Sequence, residues 1–198
     1  MATTVVVFGF GFGVTGLRPA LLADEGMWLF NDLPTDHLQT KHGFTPTPAW
    51  AEHLMKASVR FNSGGSASFI SSTGLVLTNH HVGADTLYKI STPEHNYYRD
   101  GFCAPTYADE IKAPDLELNQ LMSIEDVTSR VKAAVTATMS PGEAAVARRA
   151  VMAEIEKESQ DSTGFRSDVV TLYGGGRYHL YRYKKYTDVR LVWAPEAD

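Results

Sequence analysis

The chain is expected to be mainly β with inserted helices, α+β by content, and three observations carry that expectation. Short strand-like runs recur between turn residues: Ser66-Ala-Ser-Phe-Ile-Ser71, Leu75-Val-Leu-Thr78, Asp115-Leu-Glu-Leu-Asn119, Asp168 to Tyr173, Tyr178 to Tyr186 and Val189-Arg-Leu-Val192. Two segments of helical periodicity, spanning about 123–160, interrupt them. No strand–helix alternation repeats, which argues against a doubly wound parallel sheet.

The elements follow in order. Val5 to Leu22 is largely apolar, but Arg18 and Pro19 break it and it is short for a membrane span, so no stable span is expected. Ala20-Leu-Leu-Ala23 before Asp24 has the small residues of a secretory cleavage site, which favours a signal peptide over 1–23, although the usual basic start is missing. A buried first strand is the competing reading. Gly11-Phe-Gly-Val-Thr-Gly16 matches a dinucleotide-binding fingerprint, but Pro19 falls in the early turns of the helix it would need.

Residues 34–50 hold three prolines among polar residues and read as an extended arm, with a short helix from Ala49 to Val59. Ser72-Thr-Gly74 supplies the turn of a hairpin between the next two runs. Ser123 reads as an N-cap with Asp126 at the third helical position, followed by Ile124, Val127, Val131 and Val135 at helical spacing. Ser140-Pro-Gly-Glu143 is a capping box with proline at the first helical position, opening a second helix. Together they predict a helical hairpin. Gly174-Gly-Gly176 then turns the chain between two strands.

Composition narrows the function classes. The 198 residues carry a net charge of −5 with no basic stripe, so nucleic acid is not an expected partner. Cys103 is the only cysteine, so neither an internal disulfide nor a cysteine-built zinc site can form, and no cofactor is implied.

One constellation points to chemistry. Peptide hydrolysis by serine needs a base beside the hydroxyl, and imidazole titrates near neutrality. The base must be held rigidly, which a packed hairpin provides. Gly65-Ser-Ala-Ser-Phe-Ile-Ser-Ser-Thr-Gly-Leu-Val-Leu-Thr-Asn-His-His-Val82 has that context. A bare histidine pair would more often be two strand-end residues. A metal site on both is disfavoured, because adjacent strand residues face opposite ways.

That run resembles the catalytic-histidine hairpin of chymotrypsin-like peptidases, Thr-x-x-His before a small or apolar residue, and the match places the base at His81 rather than His80. Asp24-Glu-Gly-Met-Trp-Leu29, Thr78-Asn-His-His-Val-Gly83, Asp100-Gly-Phe102 and Lys185-Tyr-Thr-Asp-Val-Arg-Leu-Val192 resemble the bacterial serine dipeptidyl peptidases of types seven and eleven. The resemblance implies the N-terminal half of a chymotrypsin-like antiparallel β-barrel over residues 24–198, with the helical hairpin as an insertion. It implies a serine-type dipeptidyl aminopeptidase that is periplasmic or secreted, with peptide substrates and a homodimer as a candidate assembly. Val82 departs from the family, where many members carry a cysteine.

The remaining catalytic groups are the difficulty, since a triad also needs a carboxylate and a nucleophile. Asp126 reads as a helix cap, and Asp168 and Asp188 match no catalytic motif. Ser63-Gly-Gly-Ser66 reads as a turn. By the resemblance, the catalytic Asp and Ser lie beyond Asp198, and the chain on its own is expected to be inactive. A fragment of a trypsin-like stress endopeptidase and a non-catalytic half-barrel binding protein are the alternatives.

Overall fold

A computed structural model describes residues 26–196. The expectations for residues 1–23, including the signal peptide and the glycine fingerprint, lie outside the described residues.

The chain opens with α1 (Thr35–His42) and α2 (Pro48–Ala57). Helix α1 falls where an extended arm was expected. Its boundary signals are present: Asp36 in the first turn, Lys41 and His42 in the last, and Gly43 in the left-handed conformation that ends it. It buries no residue, so no apolar stripe announces it. Helix α2 is where it was expected, with the Thr47 side chain accepting the Trp50 N–H at 3.1 Å and Pro48 at its first position.

Strands β1 (Ser58–Phe61), β2 (Ser66–Phe69) and β3 (Val76–Thr78) form a meander. The expected hairpin is β2–β3, paired Ala67 to Thr78 and Phe69 to Val76. Helix α3 (His80–Ile90), the single-turn α4 (Tyr97–Asp100) and the short β4 (Phe102–Cys103) and β5 (Ile111–Lys112) follow.

The long β6 (Leu118–Asp126) occupies the middle of the sheet. After it come α5 (Thr128–Ala133), α6 (Pro141–Thr163), β7 (Arg166–Leu172) and β8 (Arg177–Tyr186). Two short strands, β9 (Arg190–Leu191) and β10 (Trp193–Ala194), pair antiparallel with β5 and β4. The main sheet has the order β3-β2-β1-β6-β8-β7, every pairing antiparallel. Among the described residues its outer strands, β3 and β7, do not pair with each other. Among the described residues helix outweighs strand, 40% against 27%, so the α+β content is realised with the helical share the larger.

The helical pair starts later than expected. Residues 123–126 are strand, Ser123 facing Arg182 and Asp126 facing His179, and helix resumes only at Thr128. A bulge between Leu121 and Ser123 switches which side chains of β6 face each way. Downstream of it Ile124 and Val127 lie on opposite faces yet are both apolar, and that interval, continued by Val131 in α5, imitates a helix. Ser140 and Glu143 do form the reciprocal capping box, and Gly164 at φ 72° closes the 23-residue α6.

Two apolar clusters lie on one face of the sheet, since Tyr178, Leu180 and Tyr186 share their parity on β8. In the first, Val131 and Ile155 come down from α5 and α6 onto Val127, Val169, Tyr178 and Leu180. The second gathers Val59, Phe61 and Leu118, with Phe69, Val82 and Tyr186 against them. The opposite face carries charge: Arg60 meets Asp168 at 3.0 Å and lies over the Tyr183 ring, while Glu117 holds Arg166 at 3.1 Å and Lys185 at 3.4 Å. Helix α6 also ties down the outer strand, because Glu156 accepts the Val169 N–H at 2.7 Å.

Ile155 is 2% exposed at the centre of the first cluster. Ile155→Ala is expected to cost about 2–5 kcal/mol, from lost apolar burial plus the cavity left behind. Urea unfolding measures it, and a loss under about 1 kcal/mol would mean that α6 does not dock on the sheet as described.

Candidate active site

The hairpin delivers the chain directly into α3. The Thr78 hydroxyl donates to the Ser66 carbonyl at 2.8 Å, fixing the last residue of β3 on its neighbour. Asn79 is extended and caps α3 by position only, its carbonyl accepting the Val82 N–H at 3.0 Å. His80 and His81 are thus the first two helical residues rather than strand-end residues. They still diverge, by about 100° around the helix axis, so the case against a shared metal ion survives the change of element. Among the described residues no cluster suited to a metal ion occurs.

His81 is exposed and His80 half-buried. Gly65 sets the position of the turn that follows them. Its φ is +99°, and a Cβ there would lie 2.7 Å from Val82. Only a residue without a side chain lets the β1–β2 connection approach the first turn of α3 this closely. The position held open to a cysteine by the resemblance is Val82, and here it packs into the second apolar cluster.

A cavity of about 950 Å³ lies over the β1–β3 end of the sheet. Phe61, Phe69, Leu118 and Tyr186 line it, together with residues 188–195. His80 lines it and His81 does not. His81 therefore lies outside this apolar space, exposed to solvent.

The three carboxylates weighed in the sequence are each engaged elsewhere. Asp168 pairs with Arg60, and Asp188 with Arg190 at 3.1 Å, a contact that lowers the Asp188 carboxyl. Asp126 accepts the Thr128 N–H at 2.8 Å. It therefore caps α5, from the end of β6 instead of from within a helix. Hydrogen bonds from Thr128 hold its carboxyl below the ordinary value, with smaller help from His179 and Arg177.

His179 is the residue that sequence reasoning passed over. It is 1% exposed, its Nε2 stands 3.6 Å from Asp126 Oδ2, and neither ring nitrogen makes a hydrogen bond. Nothing in the alternation of Tyr178 to Tyr186 distinguished it. A histidine–carboxylate pair invites comparison with a catalytic dyad, but a ring so enclosed has no access to substrate, and 3.6 Å is beyond hydrogen-bond range.

The Peptidase S46 family profile matches residues 23–198. The chain belongs to the Peptidase S46 family. It is 33% identical over 189 residues to dipeptidyl-peptidase 7 of Porphyromonas endodontalis, covering 92% of this chain and 23% of that protein. It is 35% identical over 187 residues to the Asp/Glu-specific dipeptidyl-peptidase of Porphyromonas gingivalis, covering 88% and 26%. The crystal structure of Porphyromonas endodontalis DPP11 in complex with dipeptide Arg-Asp superposes with a TM-score of 0.70 at 32% identity, over 88% of this chain and 27% of that one. The chain spans about a quarter of the length of these S46 relatives.

Two outcomes follow from the site. Gly65→Ala is expected to destabilise by about 1–3 kcal/mol, because both its φ and its contact with Val82 exclude a side chain. Gly83→Ala, in α3 with open space around it, is expected to be neutral or to gain up to about 1 kcal/mol. Equal thermal midpoints for the two variants would contradict this placement of α3. Asp126, depressed when folded, contributes stability above the ordinary carboxylate range near pH ~4 that is lost as pH falls through its folded value. Asp126→Asn is expected to flatten the acid limb of stability against pH. An unchanged acid limb would show that the cap does not form.

Proposed function

We propose that this chain is the base-bearing part of a serine-type dipeptidyl aminopeptidase, with His81 as the general base. One observation carries the reading: in a Peptidase S46 chain, the Thr78-Asn-His-His-Val-Gly83 block lies at a braced hairpin-to-helix junction that leaves His81 exposed. The sheet is then the first half of a chymotrypsin-like double barrel.

The chemistry assigned to His81 is proton transfer. Its imidazole takes the proton of a serine hydroxyl as that oxygen attacks the scissile carbonyl, and returns it to the leaving amine. A carboxylate on the far ring nitrogen holds the tautomer. Asp126, Asp168 and Asp188 are otherwise engaged, so the carboxylate and the serine are assigned to segments outside the stretch shared with the relatives. Peptides with a free N-terminus are the proposed substrates. Export to the periplasm or medium, with cleavage after Ala23, belongs to the same reading, as does a homodimer; both rest on the sequence resemblance.

The test is release of dipeptides from chromogenic substrates. The 198-residue chain alone is expected to show none. A gene product that carries this chain with the downstream segments its relatives have is expected to be active. His81→Ala in that protein is expected to lose activity by a factor on the order of 10⁴–10⁶, the scale seen when a triad member is removed. Activity that survives His81→Ala would overturn the assignment. The N-terminal sequence of protein recovered from the periplasm tests export.

A further inference from the structure

His80 is half-buried beside the proposed base, and its Nε2 is fully enclosed without a hydrogen-bond partner among the described residues. A buried nitrogen left unpaired is destabilising, so the nitrogen is not what recommends histidine at this position. The ring does have a partner. Its centroid lies 5.2 Å from that of Tyr98 in α4, and Tyr98 stacks on Tyr88 at 4.1 Å with the planes 19° apart. Tyr88 belongs to α3, about two turns beyond His80. The three rings therefore run from the first turn of α3, across α4, and back to the far part of α3.

Such a bridge constrains one motion in particular, rotation of α3 about its own axis. The Thr78–Ser66 hydrogen bond and the Gly65–Val82 approach fix where the helix begins. Val82, packed in the second apolar cluster, turns one face of the helix inward, and the ring bridge holds that turn from the His80 side. Because His80 and His81 are adjacent helical residues about 100° apart, clamping the first sets the direction of the second. A general base must be aimed to within fractions of an ångström, and a misplacement near 1 Å costs on the order of 100-fold in rate.

We infer that His80 is a positioning residue for His81, acting through the packing of its ring on Tyr98 and not through a proton. The inference rests on the reading of His81 as the base. It predicts that an aromatic ring of similar size without the nitrogens can replace His80.

The experiment compares His80→Ala, His80→Phe, Tyr88→Ala and His81→Ala in the active gene product, reading kcat and KM separately across pH. His80→Ala is expected to lower kcat by about 10- to 100-fold with KM nearly unchanged. His80→Phe is expected to restore most of kcat, with a thermal midpoint at or above wild type because an unpaired buried nitrogen is gone. Tyr88 is 58% exposed, so Tyr88→Ala loosens the clamp from outside without opening the core, and a smaller fall in kcat is expected. It also serves if His80→Ala does not fold. Wild-type kcat in His80→Ala or in Tyr88→Ala would overturn the inference. So would His80→Phe as impaired as His80→Ala, or a rise in KM without a fall in kcat. If His81→Ala retains activity, the reading of the base fails first; if His81→Ala is inactive while His80→Ala is not, only the positioning role fails.

Discussion

The antiparallel ladder between β6 and β8 is the interaction on which the rest of the structure depends. It joins segments about sixty residues apart, from Leu118 opposite Tyr186 to Asp126 opposite His179. The other strands of the main sheet attach on its two flanks. On one flank β1 pairs with β6 and brings the β2–β3 hairpin, hence α3 and His81. On the other, β7 pairs with β8 and carries α6 back over the sheet. Closing so long a loop is entropically costly, and the return is the burial of Val127, Val131, Ile155 and Leu180 on one side of the ladder and of Phe61 and Leu118 further along it. The helical pair between the two strands is the loop that this closure makes necessary.

Much of the fold was legible in the residues, and the exceptions share a physical cause. Where local chemistry and burial agreed, the reading held: the Ser140 capping box, the hairpin turn at Ser72-Thr-Gly74, and the strands flanking Gly174. Helix α1 was not legible because it packs nothing inward, so only its weak end signals marked it. The stretch 123–126 was misread because apolar residues on both faces of the strand, Ile124 and Val127, have the spacing of a helix, and the pairing with β8 that makes it a strand is tertiary. His81 was singled out by its motif. Its environment was not legible: sequence placed both histidines on a strand, whereas the chain enters a helix at His80, and only that geometry separates the enclosed ring from the exposed one.

The half-site therefore has a consistent physical logic. The residue assigned to chemistry is open to solvent, and the fold's rigidity is concentrated just behind it, in Gly65 against Val82, Thr78 on Ser66, His80 tilted against Tyr98 and Tyr98 stacked on Tyr88. Gly101 plays a comparable part at the far side of the cavity, where a Cβ would come within 2.9 Å of the Ala194 carbonyl oxygen. The Asp100-Gly-Phe102 match thus marks a close approach of β4 to β10. The cavity between these two fixed points is walled by the chain's own core residues.

The bulge in β6 has an evolutionary consequence. Leu118 and Val127 share one face of the sheet only because one extra residue between Leu121 and Ser123 resets the alternation. Loss of that residue would leave every downstream side chain on its present face, whereas one more residue, not absorbed by a second bulge, would turn the end of the strand over, exposing Val127 and drawing Glu125 away from Arg182, its partner at 2.5 Å. Lengthening is therefore expected to be purged from this strand while loss of the bulged residue and insertion in the flanking loops are tolerated, so that the central strand acts as a ruler against which the lineage keeps its reading of the sheet.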